Sequence, residues 1–196
     1  MNNKTLVLGL GNTLLGDEGA GVYAVRALQE RHADRADVEL LDGGTLSFTL
    51  AGPIEDADNL IVIDATQLKD TPGTVRVFEG EDMDRFLGGN RKSSVHEVSL
   101  LDLLTIARLA EALPARRALI GIQPEYLDWS DTLTENVARA IPVACELAMN
   151  LIERWRHEQG AGAPLSGDPR SGDATDRELP PATDCGWLPI AGDSRR

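Results

Sequence analysis

Four short, largely apolar runs punctuate this chain, at residues 5–10, 38–41, 60–63 and 118–122. Each is too short for a buried helix, and apolar character on successive rather than alternate residues marks a strand covered on both faces. The first run passes into the turn Gly9-Leu10-Gly11-Asn12, the second into Asp42-Gly43-Gly44-Thr45, and the third stops at Asp64. Between the first two, Val22, Val25 and Leu28 recur at helical spacing over about 19–32, which gives a β-α-β opening. The expected fold class is therefore α/β, with a mostly parallel sheet between two layers of helices.

The remaining elements fit that plan. Residues 73–78 alternate in the strand manner behind the turn Pro72-Gly73 and read as an edge strand. Ser94-Val95-His96-Glu97 matches a capping box, with Leu100, Leu101, Leu104, Ala107 and Leu109 as the apolar stripe of a helix to about Ala112. His96 would then stand in the first helical turn. Thr132 to Glu135 cap a last helix whose face is Val137, Ile141, Cys145, Ala148, Ile152 and Trp155, and Pro142 is expected to kink it. The domain is expected to span 1–159. Residues 160–196 turn to Gly, Pro, Ser and Asp without an apolar period and read as a disordered tail. Its one apolar cluster is Trp187-Leu188-Pro189-Ile190.

Charge narrows the possible partners. The chain carries 32 acidic against 19 basic side chains, a net −13, and the tail holds six acids and four arginines, so the acidity belongs to the domain. Such a field repels phosphate backbones, so nucleic acid is not an expected partner. The apolar start, Leu6 to Leu8, is far short of a secretion signal or a membrane span, and no membrane insertion is expected. Two cysteines, Cys145 and Cys185, build neither a disulfide framework nor a four-ligand zinc site, which suits a reducing cytoplasm.

In an open α/β sheet, ligands bind beyond the carboxyl ends of the strands. Those ends carry Asp17 and Glu18 after the first strand, Asp42 after the second and Asp64 after the third. Gly9-x-Gly11 after a strand, with Asp42 where a ribose-binding acid would sit, raises a dinucleotide site. However, Leu14 occupies the place of the third glycine, and Asp17 and Glu18 stand where a pyrophosphate needs bare amides. No Gly-x-Ser-x-Gly elbow occurs, and Leu100 stands where a zinc-protease helix needs its second histidine. Cys145 lies on an apolar helix face, as a buried thiol rather than a nucleophile.

A carboxylate, carboxylate and imidazole set remains: Glu18, Asp64 and His96. Oxygen and nitrogen ligands suit a borderline divalent cation such as nickel, zinc, manganese or iron, and three protein ligands leave positions open for water or substrate. Taken singly, Glu18 also serves a helix dipole and His96 also reads as a surface histidine. Asp64, directly behind four apolar residues, must be hydrogen-bonded, paired or metal-bound.

Leu8 to Gly21, Leu41 to Thr45, Ile63-Asp64-Ala65 and Ser94 to Glu97 together resemble, in order and spacing, the hydrogenase maturation endopeptidases, nearest the uptake-hydrogenase branch. The resemblance covers residues 4 to about 157, and the long tail departs from the shorter members. It implies a twisted five-stranded sheet between helices. It also implies a protease that removes a C-terminal peptide from the [NiFe]-hydrogenase large-subunit precursor once nickel is in place. Glu18, Asp64 and His96 match the family's metal positions, the metal being nickel supplied by the substrate. Asp42 matches a further acidic position with a supporting role near the cleft, and the candidate base is Asp17 or a carboxylate released from the metal, between which the sequence does not choose. The competing reading is a non-enzymatic nickel-delivery protein using the same three ligands.

Overall fold

The computed structural model describes residues 4–32, 34–45, 47–89 and 99–161. His96, with the rest of the Ser94 to Glu97 motif, and the segment 162–196 with Cys185 lie outside the described residues.

The apolar runs form the strands. β1 (Thr5–Leu10), β2 (Val38–Gly44), β3 (Asn59–Ala65), β4 (Val75–Glu79) and β5 (Arg116–Ile122) build one five-stranded sheet in the order β2-β1-β3-β5-β4. β1, β2, β3 and β5 are parallel, while β4 closes one edge antiparallel to β5. The period of two explains why these runs are apolar on successive residues, Glu39 of the edge strand β2 aside: alternate residues feed two separate cores. Val7, Ile61, Ile63, Ala118, Ile120 and Ile122 point to one face, where α1 (Ala20–His32) and α5 (Glu135–Ala161) cover them. Leu6, Leu8, Leu60, Val62 and Leu119 point to the other, beneath α2 (Ala51–Glu55), α3 (Glu81–Gly89) and α4 (Leu100–Leu109). This is the expected three-layer α/β/α arrangement. No helix among the described residues is long and apolar enough to cross a membrane.

Three expectations are corrected. The N-cap of α4 is Ser99 rather than Ser94: its hydroxyl accepts from the Asp102 amide while Asp102 accepts from the Ser99 amide. The buried stripe of α4 is Leu100, Leu103, Leu104 and Ala107, whereas Leu109, nine residues and half a helical rotation from Leu100, is exposed. The same helix stops short of Ala112. Glu111 adopts φ 57°, the Glu111 amide donates to Arg108 and the Ala112 amide to Ala107, a helix stop that favours glycine. Glu111→Gly should raise stability by about 0.5–1 kcal/mol, the relief of left-handed strain less the greater freedom of the unfolded chain, as a urea melt would measure.

Helix α3 is not anticipated by the sequence reading. Only Met83 is fully buried on it, with Phe86 and Leu87 packed beside, so its stripe is a single turn. Asp84 on this helix takes two hydrogen bonds from Arg117 of β5, at 3.0 and 2.6 Å, and one from Arg108 of α4, at 3.1 Å. These guanidinium groups hold its carboxyl below the usual carboxylate range.

Candidate active site

The site is built where β1 and β3 end. In register, Gly9 stands level with Ile63 on one side and Asp42 on the other, so Asp64 projects one residue beyond that line, opposite Gly121. After β1 the chain turns through Asn12, whose side chain accepts from the Leu14 amide, and enters a 3-10 turn, Gly16–Gly19, that leads directly into α1. Asp17 and Glu18 lie on this turn.

Gly21 explains how close the turn comes to β3. A Cβ at this position would stand 2.0 Å from the Ile63 carbonyl oxygen and 2.5 Å from that of Leu10. Both obstacles are backbone and cannot swing away, so only glycine lets α1 begin against the ends of β1 and β3. That approach carries Glu18 to Asp64.

Asp64 bears the electrostatic consequence. Burial strips water from its carboxyl and the neighbouring Glu18 charge repels its ionised form; these outweigh the favourable Ala65 amide and push it up to about 7. In the metal-free protein, the stability that protonated Asp64 contributes is fully present below about pH 4 and is lost as pH rises through about 7, a change of a few kcal/mol at most. Asp64→Asn should flatten this part of the pH–stability profile, as urea melts of both proteins between pH 4 and 8 would show. Two partly desolvated carboxylates that oppose each other fit a divalent cation, which would remove the repulsion and displace the proton.

Asp17 is fully buried, and its carboxylate is saturated. Oδ2 accepts from the Glu125 amide (2.9 Å), the Tyr126 amide (2.9 Å) and the Thr134 hydroxyl (2.9 Å), and Oδ1 accepts from the Thr134 amide (2.7 Å). Four donors use the acceptor capacity of a carboxylate, so this side chain fastens the loop after β5 to the site turn. Asp42 is exposed at the end of β2, where Oδ2 pairs with Arg26 of α1 (2.9 Å to Nη2) and Oδ1 accepts from the Gly44 amide (3.0 Å).

Of the five predicted site residues, the structure brings Glu18 and Asp64 together. Asp17 lies on the same turn with its side chain directed into the β5 loop, and Asp42 faces Arg26 two strands away. His96 lies outside the described residues, and among those residues no three His, Cys, Asp or Glu side chains are grouped to hold a metal ion. Cys145 is buried with its thiol pushed up to about 11 by desolvation, and Sγ donates to the Ala24 carbonyl, which fits an unreactive packing group.

The sequence reading missed Gln123. This buried side chain caps the end of β5: Oε1 accepts from the Leu68 amide at 2.7 Å and Nε2 donates to Gln67 and Pro124, so it holds the segment that follows Asp64. A polar residue directly behind an apolar strand was the available signal, as it was for Asp64.

A family model described as hydrogenase maturation protease matches residues 22–151. The chain belongs to the hydrogenase maturation protease family. The hydrogenase expression/formation protein HupD of Rhodobacter capsulatus is 40% identical over 166 residues, covering 84% of this chain and 79% of that protein. The hydrogenase 2 maturation protease of Escherichia coli is 38% identical over 144 residues, covering 73% and 87%. Among solved structures, the hydrogenase maturating endopeptidase HybD from E. coli superposes with a TM-score of 0.72 at 36% identity, covering 77% of this chain and 93% of that one. The [NiFe] hydrogenase maturation protease HybD from Thermococcus kodakarensis gives 0.62 at 32% identity, covering 76% and 98%. The chain is thus a peptidase by family, and the Glu18–Asp64 pair lies at the end of the sheet where α/β proteins hold ligands.

Proposed function

We propose that this maturation protease removes the C-terminal extension of a [NiFe]-hydrogenase large-subunit precursor after nickel insertion, and that Glu18, Asp64 and His96 engage the nickel that the precursor carries. The observation behind this reading is the Glu18–Asp64 pair: two mutually repelling carboxylates at the sheet's ligand-binding end of a family peptidase. Nickel belongs to the substrate in this reading. Its engagement fixes the nearby peptide bond and polarises either its carbonyl or a bound water. Because the Asp17 oxygens are committed to four donors, we assign it to loop anchoring, and proton transfer falls to a carboxylate at the metal. Asp42, paired with Arg26, supports the rim from β2. The reaction is placed in the cytoplasm, a compartment in which Cys145 stays reduced.

The test is a gel of purified nickel-loaded precursor with and without this protein, followed by mass analysis of the products. Shortening of the precursor with release of one C-terminal fragment is the expected result. An unchanged precursor length together with tight nickel binding by the isolated protein would favour the nickel-delivery reading instead.

A further inference from the structure

The loop between β5 and α5 turns five consecutive residues, 125–129, toward solvent. In a chain with only 4% aromatic residues it spends two of them there. Tyr126 is 47% exposed, Leu127 49% and Trp129 76%, and Leu14, on the chain that leads into the site turn, is 54% exposed.

These four side chains stand on one connected piece of backbone. The Ser130 amide donates to Leu14 (3.1 Å), the Gly16 amide to Ser130 (2.9 Å) and the Asp17 amide to Tyr126 (3.0 Å), while Leu15 and Ser130 form a parallel bridge. Asp17 clamps the loop from beneath, and Tyr23 of α1 donates to the Asp131 carbonyl. Gly16 adopts φ 58°, and a Cβ there would stand 3.1 Å from both the Tyr126 ring and its carbonyl. The turn that holds Glu18 and the exposed aromatic lip are therefore one unit.

An exposed apolar group that a fold anchors this firmly is costly to keep in water unless something covers it. Its surroundings indicate what does. Glu125, Asp128 and Asp131 are exposed along the lip, and no lysine or arginine occurs between 118 and 138 or between 5 and 25. These two segments thus expose apolar and anionic side chains and no cationic ones, and their backbones are bonded to the site turn.

We propose that Leu14, Tyr126, Leu127 and Trp129 form the docking surface for the substrate protein, receiving an apolar segment of the precursor flanked by lysine or arginine. This inference rests on the protease reading of the Glu18–Asp64 site. Trp129 is the central anchor, because aromatic side chains bury the most area at an interface. The acidic residues around it steer a cationic segment to the site and speed its encounter.

The experiment compares steady-state cleavage of purified nickel-loaded precursor by wild type, Trp129→Ala, Leu127→Ser, Asp128→Lys and Leu109→Ser. Trp129→Ala should raise KM about tenfold or more with kcat within about twofold, since an anchor residue contributes at least about 1.4 kcal/mol of binding. Leu127→Ser should act in the same direction with a smaller effect, and Asp128→Lys should raise KM most at low salt. Leu109→Ser, an exposed leucine at the end of α4, should leave both constants unchanged. The three lip positions are exposed, so thermal melts should coincide with wild type. Wild-type cleavage establishes the protease reading independently. If cleavage proceeds and the KM of Trp129→Ala matches wild type, the docking proposal fails while that reading stands. A Trp129→Ala effect confined to oligomeric state, seen by light scattering, would make the lip a contact between copies of this chain and would also overturn the proposal.

Discussion

Asp64→Asn is expected to reduce precursor cleavage by about a thousandfold or more while leaving the metal-free protein at least as stable as wild type at pH 8. The two effects share one cause. Burial and the charge of Glu18 push the Asp64 carboxyl up to about 7, so above that pH the folded protein holds an ionised group in a place that disfavours it. An amide of the same shape removes that cost. It also removes the charge that a divalent cation would use, and losing one ligand from the proposed Glu18, Asp64 and His96 set would forfeit several kcal/mol of transition-state stabilisation, about a factor of ten for each 1.4 kcal/mol. Glu18→Gln should act in the same direction. A residue kept only for packing would show the reverse pattern, with lost stability and retained activity. Single-turnover cleavage together with urea melts at pH 8 would separate the two patterns.

Asp17→Asn should produce a different signature. The wild-type carboxylate accepts from three backbone amides and one hydroxyl, and an asparagine side chain presents one oxygen and one NH₂ group to those same four donors. At least one partly buried amide then loses its acceptor and faces another donor, and the change should cost about 2–4 kcal/mol. The loop 123–134 would loosen from the site turn, so hydrogen exchange at the Tyr126 and Thr134 amides should quicken before global unfolding. Cleavage should fall mainly through KM, because Glu18 and Asp64 remain in place while the lip does not. A large kcat loss with undisturbed stability would instead return Asp17 to the role of base.

The architecture was legible because the four apolar runs leave little choice: a strand apolar on successive residues needs cover on both faces, and that cover is helical. The Asp64 position was legible for a related reason, since a carboxylate directly behind Ile63 at a sheet's carboxyl end has few uses. Other features depended on geometry that no periodicity reveals. The stop of α4 uses Glu111 in a conformation that normally selects glycine, and α3 buries only one turn, around Met83, so neither leaves a strong pattern. Asp17 and Glu18 are adjacent acids in the sequence, yet one points into the β5 loop and the other acts on Asp64. Only the close approach enforced at Gly21 and the amides of residues 125, 126 and 134 separate their roles.

Nickel dependence is the most direct test of the account. Purified precursor, half of it loaded with nickel and half stripped by a chelator that is then removed, should be incubated with the wild-type protein and weighed intact by mass spectrometry. Shortening of the loaded precursor alone, with recovery on adding nickel back, is the predicted result. Equal shortening of both samples would contradict the claim that the carboxylate pair reads a metal carried by the substrate.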